Sequence, residues 1–288
     1  MDIPAKLVYE LKKRTDLPMM KCKKALVDAN GDIDIAIENL RKEGTKTIGK
    51  LKDREMKEGL VFTHQAGDAA AAVAVLCETD FVARNAAFQE FGNDLAKQIF
   101  DHAPEDRGDG ASIAQLKMSD GRTVQEQLDE LVGSKIRENM KVGEFVCFRT
   151  ADGMVSTYVH HNAKIACLVE LKGDGLAGHD AVKQLGTELG MQIAFHSQLE
   201  GLTRDDIDAA WIAKEREIFV AQAAEMPEDK REKIAEGKLN KRLKEVVLLD
   251  QPFIRNDKES VQQHVDAVAK EAGTPVAVSR FARISAGA

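Results

Sequence analysis

An α+β fold with antiparallel sheets is what this sequence predicts, and three observations predict it. Apolar runs of strand length flank turn dipeptides, as residues 60–64 and 69–77 do around Gly67-Asp68. Other segments place apolar residues every three or four positions, the period of one helix face, as at Phe88, Phe91, Leu95 and Ile99. These elements fall into hairpin-and-helix groups rather than a regular β-α-β alternation, which argues against a parallel doubly wound sheet.

Residues 1–44 read as a module of three short helices. Leu7, Val8 and Leu11 mark one side of the first. It ends ahead of Pro18, because proline disfavours helical geometry in the residue before it. Met19, Cys22, Leu26 and Ala29 line the second, which stops at Asn30-Gly31. Asp32 is placed to cap the third, which carries Ile33, Ile37 and Leu40 and has Gly44 past its end. So few apolar side chains make a marginal core, and the module is expected to move relative to the rest. Residues 45–58 form a charged linker.

A first core subdomain follows over 59–143. It comprises the hairpin at Gly67-Asp68, a helix capped by Asn85, an irregular Pro/Gly/Asp stretch over 102–110, and a helix marked by Val124, Leu128 and Leu131. Strands are expected at 144–150, 154–160 and 164–172, the first two closed into a hairpin by Asp152-Gly153. Val182, Leu185, Leu189 and Ile193 mark the next helix. With a helix over 260–272 and a last strand over 276–284, residues 144–202 and 251–288 make a second subdomain, and the two α+β halves are built alike.

Residues 203–250 differ in character. Thr203-Arg204-Asp205-Asp206 fits a capping box, and Ile207, Trp211, Ile218 and Ala221 form a stripe behind it. Met226-Pro227 breaks that helix, and Leu239, Leu243 and Val246 mark a second. Two charged helices around a narrow apolar seam predict a protruding antiparallel helical hairpin.

Composition bounds the function. The chain has 288 residues, 31% charged and 43% hydrophobic, enough for two or more compact units. A net charge of -7 disfavours general phosphate neutralisation, and 5% aromatic residues leave few platforms for stacking bases, so no direct nucleic-acid partner is expected. No apolar run approaches the length of a membrane span, and the N-terminus lacks the apolar core of a secretory signal. Cys22, Cys77, Cys147 and Cys167 are far apart and form no Cys-x-x-Cys pair; they read as buried, reduced thiols of a cytoplasmic protein.

Two phosphate-binding patterns lack their context. Gly44-Thr45-Lys46-Thr47-Ile48-Gly49-Lys50 begins like a P-loop, but Leu51 stands where a Ser or Thr should ligate magnesium, and a helix precedes it. Gly173-Asp174-Gly175-Leu176-Ala177-Gly178 is a Gly-x-Gly-x-x-Gly, yet no strand ends at Glu200 to hold a ribose, and the upstream strands form hairpins. That loop reads as a turn. His160-His161 is not part of a His-Glu-x-x-His, and no nucleophile elbow or cysteine–histidine grouping appears. The basic cluster Lys238, Lys241, Arg242 and Lys244 reads as one charged side of the hairpin. No catalytic constellation is present, and no cofactor or bound metal is expected.

The segment Cys77-Glu78-Thr79-Asp80-Phe81-Val82-Ala83-Arg84-Asn85 joins an apolar strand to a helix and leaves a carboxylate and a large aromatic in the connection. Phe81 either folds back over the helix or stands at the surface, where connections often carry function. Thr79-Asp80-Phe81-Val82 resembles the signature of the elongation factor Ts family, the guanine-nucleotide exchange factors of bacterial-type elongation factor Tu. The run from Arg14 through Met19-Met20-Lys21-Cys22-Lys23-Lys24-Ala25-Leu26 to Asn30-Gly31-Asp32 and Asn39-Leu40-Arg41 resembles the family's opening module. Both motifs stand in the family's order, and the resemblance covers nearly the whole chain.

The resemblance implies a ubiquitin-associated-like fold for residues 1–44 and a non-enzymatic activity, the release of GDP from elongation factor Tu. It implies that Phe81 is a wedge near the magnesium side of the partner's nucleotide pocket and that Asp80 fixes its approach, within the loop of Thr79 and Val82. The magnesium concerned belongs to the partner. Met19, Met20 and Lys23 match positions that dock on a helix of the partner's G domain, although Met19 also fits a core role. Tyr158-Val159-His160-His161-Asn162 resembles a segment that faces the partner's third domain, with His160, or else His161, as the contact. Asp16-Leu17-Pro18 departs from the family's Gly-rich turn before Met-Met, which leaves the pose of the module open. The helical hairpin supports dimerisation in parts of the family, so a homodimer or a 2:2 complex stays open here. Two other classes compete: a ubiquitin-associated-like adaptor that binds without releasing nucleotide, and a dinucleotide-dependent enzyme using the Gly173–Gly178 loop.

Overall fold

The structure, a computed structural model, describes residues 2–15 and 17–287, without the side chains of Glu228 and Asp229. Asp16, expected in the turn before the second helix, lies outside the described residues. The architecture is α+β with antiparallel strand pairing, and the chain divides into two compact units. One is built from residues 1–64, 71–147 and 284–288, the other from 65–70 and 148–283.

In the first unit, helices α1 (Ala5–Thr15), α2 (Met19–Asp28) and α3 (Ile33–Leu51) enclose a small core that includes Val8, Leu11, Leu17, Cys22, Leu26, Ala36 and Leu40. Asp32 caps α3 as its position predicts, accepting from the amides of Asp34 and Ile35 at 2.9 and 3.0 Å. The helix does not stop at Gly44. It continues through the first half of the expected linker, and the P-loop-like run lies inside it. The reason is packing. Gly44 meets Gly133 in a π turn over Leu131–Lys135, so closely that a Cβ on Gly133 would lie 2.8 Å from the Gly44 Cα. Beyond that contact Ile48 and Leu51 reach a second, larger core. Their burial outweighs the roughly 1 kcal/mol that a helical glycine costs relative to Ala.

That larger core lies under a sheet of β1 (Glu58–Ala66), β2 (Ala69–Cys77), β4 (Met140–Arg149) and β3 (Arg107–Asp109), in the order β1-β2-β4-β3. Gly67 supplies the positive φ of +56° at the β1–β2 turn. Helices α4 (Asp80–Ala83), α5 (Ala86–His102) and α6 (Val124–Glu130) complete the unit. Phe88, Phe91, Leu95 and Ile99 all point from α5 into the core, and Asn85 caps the helix through the Ala87 amide.

The strand expected at 144–150 does not form a hairpin with its successor. It is β4, which starts earlier and lies between β2 and β3, while β5 (Gly153–Val159) pairs with β6 (Ile165–Lys172). Gly153 is the first residue of β5, opposite Lys172, and a Cβ there would lie 2.0 Å from the Leu171 carbonyl oxygen. The glycine serves a close strand approach rather than the turn its Asp-Gly context suggested.

The second unit carries the sheet β5-β6-β9, with β9 at Ala277–Ser285. Helix α7 (Asp180–Phe195) packs on it through Gly186 and Gly190, where Cβ atoms would meet the side chains of Ser156 and Tyr158 at 2.5 and 2.4 Å. Gly173 and Gly175, with φ of +149° and +67°, make the Gly-x-Gly-x-x-Gly a turn, and the strand that leads into it, β6, pairs antiparallel with β5. The capping box at Thr203 closes a single turn over Arg204–Asp206 and not the following helix. Asp208 caps α8 (Ala209–Gln222), which packs beside α9 (Glu228–Val246). Ile207 is therefore extended backbone ahead of α8, and the helical phase starts afresh after it. The seam consists of Ile207, Trp211, Ile212 and Phe219 against Leu239, Leu243 and Val246, while Ile218 and Ala221 of the expected stripe are exposed. A short antiparallel pair, β7 (Pro252–Phe253) and β8 (Asn256–Ser260), leads into α10 (Val261–Ala272).

All four cysteines are free and buried. Among the described residues, no helix is long and apolar enough to cross a membrane, and no group of three or more His, Cys, Asp or Glu is arranged to hold a metal ion.

Candidate functional site

After Cys77 the chain does not form the open loop that a strand-to-helix connection suggests. Thr79 is extended (φ -130°, ψ 156°) and caps one turn of helix, α4, its Oγ1 accepting from the Val82 amide at 3.4 Å. The turn closes through Ala83 N–H to the Thr79 carbonyl (3.2 Å), Arg84 N–H to Asp80 (3.1 Å) and Asn85 N–H to Val82 (2.9 Å). Val82 and Ala83 point into the core. Phe81, one step around the turn, is 79% exposed. Of the two readings of this ring, the surface one holds. Asp80 is half-buried and pairs with the exposed Arg84 at 2.9 Å, one turn along.

The turn is anchored from below. The Thr79 hydroxyl donates to Glu138 Oε2 at 2.9 Å, and the Cys77 thiol donates to the Thr79 carbonyl at 3.3 Å. Burial pushes that thiol up to about 11, with the Glu138 and Glu58 carboxylates adding to the rise, so it keeps its proton. Glu78 accepts from the Asn139 amide and pairs with Arg54 at 3.3 Å. The Asn139 side-chain amide donates to the carbonyls of Lys52 (3.3 Å) and Arg54 (2.8 Å).

Met19, Met20 and Lys23 lie in the first turn of α2 and stay outside the core that takes Cys22 and Leu26. Met20 is 77% and Met19 42% exposed, and Lys23 is exposed, so Met19 is not a core residue. Leu17 and Cys22 belong to the small core of the three helices, and Met19 does not. His160 lies in the other unit, just past β5. Its Nδ1 is 3.1 Å from the Tyr158 hydroxyl, and its ring meets that of His161 edge-on at 4.2 Å. His160 is half-buried and His161 exposed. The structure thus brings Thr79, Asp80, Phe81 and Val82 onto one turn and Met19, Met20 and Lys23 onto the first turn of α2, with His160 on a third element.

The anchoring groups Glu138, Asn139, Glu78 and Arg54 escaped the sequence reading. Thr79 and Glu138 are 59 residues apart, and no periodicity or local motif links them. Arg137, with φ +63°, turns the chain into this position, and only a glycine there would have signalled such a turn.

The family model described as Elongation factor TS matches residues 78–288. Elongation factor Ts from Nostoc sp. (strain PCC 7120 / SAG 25.82 / UTEX 2576) is 38% identical over 99% of this chain and 93% of that protein. The protein of that name from Syntrophotalea carbinolica is 39% identical over 100% and 94%, and the one from Lawsonia intracellularis 36% over 100% and 99%. With its Thr-Asp-Phe-Val turn in place and its likeness running the length of these relatives, the chain belongs to the elongation factor Ts family of translation elongation factors.

Proposed function

We propose that the chain binds GDP-loaded elongation factor Tu and promotes GDP release, so that GTP can load, with no covalent chemistry and no cofactor of its own. The observation that carries this reading is the Phe81 turn, a ring 79% exposed on a backbone whose hydrogen bonds are closed. Full burial of a phenylalanine is worth about 1.5–3 kcal/mol. Most of that gain is left for a partner to supply, on a turn whose backbone hydrogen bonds are already closed.

An exchange factor must bind the nucleotide-free partner more tightly than the nucleotide-bound one, and linkage then makes nucleotide weaken the factor equally. Phe81 enters the G domain near the magnesium and phosphate region and displaces partner packing there; the metal is the partner's. Asp80, with Arg84 beside it, fixes the approach, and Thr79 and Val82 hold the turn from the cap and the core. Met19, Met20 and Lys23 dock on a helix of the G domain, and His160 faces the partner's third domain. One ring does not supply the whole exchange effect, so these docking contacts contribute.

The rest of the reading follows the family. Residues 1–44 act as a ubiquitin-associated-like module, joined through residues 45–58, whose first half continues α3, to two core subdomains, the first of which takes in β4. Residues 203–250 protrude as an antiparallel hairpin able to support a homodimer or a 2:2 complex. The protein works in the cytoplasm, with no membrane and no direct nucleic-acid partner. The test is release of fluorescent GDP from purified bacterial elongation factor Tu across a titration of the chain. Release that stays at its spontaneous rate at saturation refutes exchange, and stable association with unaltered GDP affinity would make the chain an adaptor instead.

A further inference from the structure

We infer that Glu138 is a positioning residue for the Phe81 turn, acting through the Thr79 hydroxyl; this rests on the reading of Phe81 given above. A threonine hydroxyl has one proton. With that proton given to Glu138 at 2.9 Å, the oxygen's lone pairs are turned toward the Val82 amide, whose cap bond is long at 3.4 Å. A cap of that length depends on a rotamer fixed by another partner. Helix α4 has only four residues, so it gains nothing from propagation and must be held by contacts outside itself. Val82 and Ala83 hold its inner side in the core, the Cys77 thiol holds the Thr79 carbonyl, and Glu138 holds the cap.

Glu138 is itself built in. Arg137 carries a left-handed φ of +63°, which a residue with a Cβ keeps only where its neighbours over-determine it. The neighbours here are on Asn139, whose backbone amide is bound by Glu78 and whose side chain is bound to the carbonyls of Lys52 and Arg54. The strained residue therefore delivers a carboxylate to a cap, and the cap orients the ring. Without Glu138 the turn samples other conformers, and the fraction that presents Phe81 falls. A docked complex then inserts the ring less often, so the maximal exchange rate drops while docking is kept.

The experiment uses the full chain with Glu138→Ala, Glu138→Gln, Thr79→Val and the Glu138→Ala/Thr79→Val pair. Fluorescent GDP release from elongation factor Tu is titrated with each. Glu138→Ala is expected to lower the maximal rate about tenfold, the scale of one hydrogen bond to a charged acceptor, with the half-saturating concentration little changed. Glu138→Gln keeps an acceptor oxygen and restores most of the rate, and the pair is no worse than Thr79→Val alone. A maximal rate unchanged in Glu138→Ala, where Phe81→Ala lowers it, overturns the inference. So does a raised half-saturation at full maximal rate, the mark of lost folded protein. Amide exchange in the free chain reads the same turn without a partner: Glu138→Ala speeds exchange at Val82 and Ala83 and leaves α5 protected. Unaltered exchange there refutes the role of Glu138 whatever the GDP assay shows, and a wild-type chain that releases no GDP refutes the functional reading alone.

Discussion

Phe81→Ala separates a contact residue from a core residue, because the two roles predict opposite pairs of effects. The ring is 79% exposed, so about one fifth of the 1.5–3 kcal/mol for complete burial, about 0.3–0.6 kcal/mol, is held in the free chain's stability. Alanine's higher helix propensity in α4 offsets about as much, and the net change in stability is close to zero. The uncovered four fifths leave about 1.2–2.4 kcal/mol to be gained against a partner, about an 8- to 60-fold loss of exchange at 1.36 kcal/mol per decade. Urea denaturation gives the first quantity and fluorescent GDP release from elongation factor Tu the second. A stability loss above about 1.5 kcal/mol, with exchange falling only in proportion, would put the ring in a core and defeat the reasoning. Unchanged release with unchanged stability would remove Phe81 from the contact altogether.

The packing of α3 yields an asymmetric pair: Gly133→Ala places a Cβ 2.8 Å from the Gly44 Cα and should cost about 1–3 kcal/mol, whereas the Cβ of Gly44→Ala meets nothing nearer than 3.4 Å and should be neutral or stabilising. Thermal denaturation of both variants checks this, and equal losses would contradict the close approach. A Cβ on Gly237 in α9 would meet nothing within 4 Å, so Gly237→Ala should raise stability by about 0.5–1 kcal/mol, visible as a higher melting temperature. Burial raises the Asp120 carboxyl, but hydrogen bonds from Arg122 and Gln127, with the Arg122 charge, outweigh it and bring the group down to about 2. Its folded value lies below the unfolded one near 3.9, so the stabilisation is full above about pH 5 and is lost as pH falls toward 2. The melting-temperature gap between wild type and Asp120→Asn should accordingly be present at pH 7 and narrow through that window; a gap that widens on acidification would reverse the sign.

Local chemistry made much of the chain legible. Asn85 and Asp32 each cap the helix that their position suggests, because a capping side chain acts within three residues of itself. Strand partnership was not legible in the same way. Asp152-Gly153 has the composition of a turn, but Gly153 is needed for the approach to Leu171, and β4 finds its partners in β2 and β3 across long separations. Helix ends failed where packing overrode propensity, as at Gly44, whose backbone packs against Gly133, a residue with no side chain to hold it off, instead of ending α3. At the candidate site, the Thr79–Val82 motif was readable as residues but not as a helical turn. One of the groups that hold it is Glu138, a residue that no local pattern associates with it.

That remote anchor matters because of the sizes of two opposing terms. Ordering the backbone of a flexible residue costs about 1–2 kcal/mol, so fixing residues 79–83 only on contact would cost about 5–10 kcal/mol. The exposed part of the Phe81 ring returns about 1.2–2.4 kcal/mol. On the proposed reading, the same ring on a floppy loop would therefore oppose the complex with the partner. The hydrogen bonds through Ala83, Arg84 and Asn85, the thiol of Cys77 and the carboxylate of Glu138 move that ordering into the folding of the free chain. Only then, on the proposed reading, do the uncovered four fifths of the ring count in full toward contact, beside the docking contacts.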